Sequence, residues 1–141
     1  MINPKHHLLL HAKRVRHILT PRNLRKRFIF NDVPYFSQWE SRELNAKILS
    51  HAIDTKDDPK WKLSGATSKQ EYEDWSWIGC GMACTKMLLA HKTGNTIPLV
   101  ELGKKCAGYG GYSYPLKESA GLHYAPYVKF IKKEFGLDAK F

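Results

Sequence analysis

Apolar positions along this 141-residue chain change their period several times, and each change predicts an element. From His7 to Leu19, the residues Leu8, Ala12, Val15 and Leu19 fall at helical spacing, with Lys13, Arg14 and Arg16 elsewhere on the wheel. That run stops before Thr20-Pro21 and reads as a basic amphipathic helix. Asp32 to Gln38 reads as a short extended segment, because Pro34 favours extended geometry in the residue before it. Trp39 to Asp74 is polar and is broken by Asp57-Asp58-Pro59 and Ser64-Gly65, so it predicts a long surface excursion with one helical piece around Ser41 to Ile53. At Trp75-Ser76-Trp77-Ile78-Gly79-Cys80-Gly81 the pattern turns apolar. Met82 to His91 then reads as a helix closed by Gly94-Asn95, with Ala83, Met87 and Ala90 beside Cys84, Leu88 and His91 forming a broad face expected in the core. A second short helix opens at Pro98 and runs through Lys105, followed by a glycine and tyrosine loop from Gly108 to Tyr114. A third starts near Pro126, carries Tyr127, Val128, Ile131 and Phe135 on one side, and stops at Gly136. Leu137 to Phe141 would begin a strand.

Composition changes this picture in three ways. Hydrophobic residues at 43% and charged residues at 26% are globular proportions, which excludes a chain disordered throughout. No run approaches the roughly 18 apolar residues of a membrane span, and Leu8-Leu9-Leu10 is too short for a secretory core, so no export signal is expected and the cytoplasm is the default compartment. The net charge of +10 is concentrated at one end. Lys5, Lys13, Arg14, Arg16, Arg22, Arg25, Lys26 and Arg27 precede Asn31 with no acidic residue among them, which leaves the remainder close to neutral. The chain therefore divides into a basic arm, residues 1–31, and a domain, residues 32–141. The arm either packs on the domain or contacts an anionic lipid surface or nucleic acid, although no base-reading motif accompanies it.

Cys80, Cys84 and Cys106 cannot all pair, so at least one thiol is expected free. Cys80 and Cys84 lack the second cysteine pair or paired histidines of a zinc site, and no cofactor motif is present; neither metal nor small-molecule cofactor is expected. A cysteine just before a helix is chemically distinctive, because the unpaired amides of the first turn and the helix dipole favour thiolate over thiol. The thiolate is the nucleophilic form. Gly79 and Gly81 would leave the Cys80 sulfur accessible, and Trp75 or Trp77 could wall a cleft beside it. The competing reading is a small buried residue at a tight junction.

Two stretches, Val33-Pro34-Tyr35-Phe36-Ser37-Gln38 and Gly79-Cys80-Gly81-Met82-Ala83-Cys84-Thr85-Lys86-Met87-Leu88-Leu89, resemble the paired signature of the bacteriocin-processing peptidases and their stand-alone relatives. These are papain-like cysteine peptidases that cut after double-glycine leaders. Gly108-Tyr109-Gly110-Gly111-Tyr112 and the segment Tyr124 to Leu137, closing on Phe135-Gly136-Leu137, are similar to the family's next segment. The resemblance spans residues 32 to 141. It implies an α+β, papain-like fold represented by its helical half, with the central nucleophile helix present and the sheet half largely missing. It also implies a peptide or protein substrate, with Cys80 as nucleophile and Gln38 as the oxyanion-hole donor beside the Cys80 backbone N–H. Gln70 is the fallback donor, but Lys69, Glu71 and Glu73 around it look like a solvated face.

The general base is harder to find. Acyl transfer by a thiol needs an imidazole within about 3 Å of the sulfur. His91 is eleven residues along the same helix, about 16 Å away at the helical rise. His51 lies in the excursion, and His6, His7, His11 and His17 lie in the arm. His123 is the remaining candidate, and its place before the third helix suits a helix-start or cleft-rim residue better. In the family the catalytic His begins a later strand. The chain is thus expected to stop short of its catalytic His and Asp or Asn and to be weakly active alone. The alternatives are a catalytically inactive peptide-binding module and a protein acting on membranes or nucleic acid through its basic arm.

Overall fold

A computed structural model describes residues 32–140. The chain partitions into Met1–Asn31 and Asp32–Phe141; the basic arm, with the amphipathic helix expected in it, lies outside the described residues, as does Phe141. In order, the elements are α1 (Asn45–Leu49), α2 (Lys69–Ile78), α3 (Cys80–Thr93), α4 (Leu99–Gly108) and α5 (Tyr124–Phe135). Short 3-10 turns occupy Arg42–Leu44, Thr55–Asp57, Trp61–Ser64 and Leu116–Glu118. No strand forms among the described residues.

This overturns the α+β, papain-like expectation: what is described is all helical. The physical reason lies in the two segments that were to be extended. Leu137 and Ala139 pack on the core while Asp138 and Lys140 point to solvent, an alternation of period two with no second segment to complete a ladder. Residues 33–37 likewise meet helix side chains instead of another extended backbone, as the contacts of Phe36 below show. Without a partner, a β-patterned segment remains irregular.

The main core is the meeting of α2, α3, α4 and α5. Trp75 from α2, Met82 and Leu89 from α3, Leu99, Val100, Leu102 and Cys106 from α4, and Phe130 and Ile131 from α5 are all buried there. Gly103 explains how Trp75 fits: a Cβ at this position would stand 2.5 Å from the Trp75 ring, so only glycine lets the indole lie against α4. Helix ends follow local rules. Ser68 caps α2 by accepting from the Glu71 amide at 3.1 Å, and the Glu71 carboxylate accepts from the Thr67 amide at 2.7 Å. Gly94 and Gly136 end α3 and α5 in the left-handed conformation.

The excursion is built differently. Trp39, Ile48 and Tyr72 form a second, smaller apolar cluster. At its centre the buried Asp58 carboxylate accepts hydrogen bonds from the Ser41 amide (3.1 Å), the Ser41 hydroxyl (2.6 Å), the Lys60 amide (2.8 Å) and the Tyr72 hydroxyl. Burial alone would raise the Asp58 pKa, but the bonds from Ser41, Tyr72 and Lys60 together outweigh it and hold it below the usual carboxylate value. The same burial, with Asp58 beside it, pushes the Tyr72 hydroxyl up. The polar stretch is therefore no loose loop. Four donors converging on one carboxylate tie Ser41, Lys60 and α2 together.

Candidate thiol site

Two helices meet at a single residue. Gly79 closes α2 and opens α3, and no side chain caps the amino end of α3. Its role is packing: a Cβ on Gly79 would stand 2.8 Å from the Trp75 carbonyl oxygen and 2.9 Å from Leu99 Cδ2. Gly81 serves the same purpose against Leu122, whose Cδ2 would lie 2.7 Å from an added Cβ. Both glycines let neighbouring elements close in on the helix start, which differs from the expectation that they uncover the sulfur.

Cys80 is the first residue of α3 and is exposed. The alternative of a thiol buried at the junction is thereby set aside. Cys80 opens a 14-residue helix whose first-turn amides have no side-chain cap. Cys84, one turn on, is exposed as well. The central helix was expected to bury this face, yet Cys84 and Leu88 point outward, and the buried residues are Met82, Ala83, Thr85, Lys86 and Leu89. Cys106 is the buried thiol, pushed up to about 11 by desolvation.

Gln38 is half-buried, and its neighbours fix the segment that carries it. Two residues before it, Phe36 lies under the Lys86 ammonium of α3, 4.9 Å from the ring centroid. Two residues after it, Glu40 pairs with the same ammonium at 3.6 Å, and both side chains are nearly buried. Burial raises the Glu40 pKa, more than the attraction of Lys86 lowers it. Trp39 meets Trp77 edge to face at 5.4 Å, and Trp77 precedes Cys80 by three residues. The chain thus carries Gln38 along the α2–α3 corner. Among the described residues no hydrogen bond joins Gln38 to Cys80. The fallback is disposed of otherwise: the Gln70 amide donates to Glu73 and Asp74 on its own helix at 2.8 Å each.

The histidines take other places. His123 is the N-cap residue of α5 and its Nε2 is 2.9 Å from the Ser113 hydroxyl. His91 is near the far end of α3. His51 is the surprise, because the excursion folds it onto Trp77, ring on ring, at 5.6 Å and 22°. Trp75, by contrast, is buried in the core. Trp77 remains 39% exposed and separates two clefts. One, of about 290 Å³, is lined by His51, Ile53, Asp54, Thr55, Glu73 and Trp77. The other, of about 240 Å³, is lined by Glu73, Asp74, Trp77, Ile78, Leu116 and Lys117. Sequence reasoning missed α2 and the His51–Trp77 pair. The Ser68-x-x-Glu71 capping pattern could have signalled the first; nothing local signals the second.

Among the described residues, no three His, Cys, Asp or Glu side chains gather closely enough to hold a metal ion, and no helix is long and apolar enough to cross a membrane. No protein-family model matches the chain, and neither does a curated protein or a solved structure.

Proposed function

We propose that this chain is a thiol hydrolase domain acting on peptide bonds, with Cys80 as its nucleophile. The observation that carries this reading is the exposed Cys80 sulfur at the uncapped amino end of α3. In the reaction the thiolate attacks the peptide carbonyl carbon, the oxygen takes up negative charge, and collapse expels the amine to leave a thioester that water hydrolyses. The Cys80 backbone N–H and the Gln38 side-chain amide are the two donors for the oxygen, each worth about 10²–10³ in rate in such sites. The imidazole that shuttles the proton comes from outside the described residues, since His51, His91 and His123 are engaged or placed elsewhere.

Cys84 supplies an internal reference for the test. Both thiols are free and exposed on one helix, so they differ chiefly in distance from the helix start. Iodoacetamide labelling of the full chain at pH 6.5, followed by peptide mass spectrometry, is expected to modify Cys80 about threefold to tenfold faster than Cys84. Cys106 should stay unlabelled in the folded protein. Equal rates at Cys80 and Cys84, together with hydrolysis of generic peptides that survives Cys80→Ala, would remove the basis for this function.

A further inference from the structure

The larger cleft has Trp77 in its wall. Trp39 follows Gln38 in sequence and touches Trp77, and Trp77 stands three residues before Cys80. At about 290 Å³ the cleft is at the small end for ligand sites, which suits one side chain and not a whole ligand.

Its lining is amphipathic. Ile53 and the indole of Trp77 offer apolar walls, the Asp54 and Glu73 carboxylates offer charge, and the His51 ring lies stacked on Trp77. Lys56 pairs with one Glu73 oxygen at 2.9 Å and the Gln70 amide donates to the same oxygen at 2.8 Å, which leaves the other Glu73 oxygen open. Asp54 spends one oxygen on the Lys56 amide at 2.8 Å.

His51 adds an independent observation. The Ala52 amide donates to the Lys47 carbonyl and the His51 amide to the Ile48 carbonyl, which is the Schellman arrangement closing α1. His51 occupies its left-handed position with φ of 55°, a place where glycine is unstrained and an L residue is not. A histidine thus stands where glycine is commoner, with its ring on the exposed tryptophan.

We infer that the cleft between His51 and Trp77 is a subsite for an arginine side chain of the peptide substrate. The inference rests on the reading of Cys80 as nucleophile. An arginine stem packs on Ile53, its planar guanidinium lies against the part of Trp77 that His51 leaves exposed, and its fork of donors reaches the carboxylates of Asp54 and Glu73. Lysine, a point charge without the planar face, is the poorer occupant.

The test uses the full chain carrying Cys80→Ala, so that binding is read without turnover. Fluorescence anisotropy compares a labelled extended peptide containing one arginine with the same peptide containing citrulline, its neutral isostere. The arginine peptide should bind about tenfold more tightly, the equivalent of one charge-assisted contact. Trp77→Ala and Asp54→Asn should each erase most of that difference, and the second keeps the turn-capping oxygen. His51→Gly should also weaken arginine binding without lowering the thermal unfolding midpoint, because it relieves the left-handed strain; a stability loss equal to its binding loss would make His51 structural. Equal affinity for the two peptides, or full preference retained in Trp77→Ala, overturns the subsite. Cys80-dependent cleavage indifferent to arginine overturns the subsite alone. Arginine-selective binding with equal labelling rates at Cys80 and Cys84 upholds the subsite and overturns the hydrolase.

Discussion

The two apolar clusters of this molecule hold their surroundings together by different means. Around Trp75 the helices α2 to α5 interlock through side-chain volume, with glycine at 103 and 79 permitting contacts that no other residue would. Around Trp39 and Tyr72 the apolar cluster is small, and the excursion is tied down by hydrogen bonds converging on Asp58. Packing energy is spread over many atoms, whereas the Asp58 knot concentrates its contribution in one group. The excursion should therefore be breakable by a single substitution that leaves the helices intact. It is also the part that carries Gln38 and lays His51 on Trp77.

The largest expected effect is on the packed side. Trp75→Ala should cost about 3–5 kcal/mol, a large share of the stability of a domain this size, and should shift the urea midpoint of the whole chain. Asp58→Ala should cost about 2–4 kcal/mol by leaving the Ser41, Lys60 and Tyr72 donors without their acceptor. Its signature is local: hydrogen exchange should accelerate at the Ser41 and Lys60 amides while α4 stays protected. Whole-chain unfolding with uniform exchange in Asp58→Ala would dissolve the contrast between the two halves.

Titration sharpens the same contrast. The folded Asp58 pKa lies below its unfolded value, so its contribution is complete above the unfolded carboxylate value near 4 and is lost as pH falls through the lower folded one. Glu40 has the opposite sign: its folded pKa is raised, so folding is favoured with it protonated and that contribution fades as pH rises through the folded value. Protection of the excursion should therefore weaken in acid in the wild type, and Asp58→Ala should flatten that acid limb. Gly103→Ala comes next, at about 1–2 kcal/mol, because the overpacking against the Trp75 ring exceeds the gain in helix propensity. The smallest effect belongs to Asp138→Ala, which removes an exposed ion pair with Lys132 and should leave the denaturation curve unchanged.

Local signals were read well where local physics decides. The stops at Gly94 and Gly136 are backbone requirements visible in one residue, and the periodicity of Tyr127, Ile131 and Phe135 was enough to place α5 to within two residues. The helix around Cys80 was also legible, since Gly79 and Gly81 precede a run of good helix formers. The failures came where a segment's fate depends on a partner. Lys69–Ile78 looked like a polar excursion followed by an aromatic approach because its buried positions, Tyr72, Trp75 and Ser76, mix polar and apolar types. Leu137 to Lys140 had the alternation of a strand and nothing to pair with.

By itself, then, the sequence determined the helix ends, the basic and nearly neutral halves, and the placement of a cysteine at a helix start, because each depends on backbone geometry or charge within a few residues. Only tertiary structure decided that Cys84 faces outward, that no sheet forms among the described residues, and that His51 rests on Trp77. Those outcomes depend on contacts between residues tens of positions apart, whose free energies are set by shape and desolvation at the meeting point and leave no trace in local spacing.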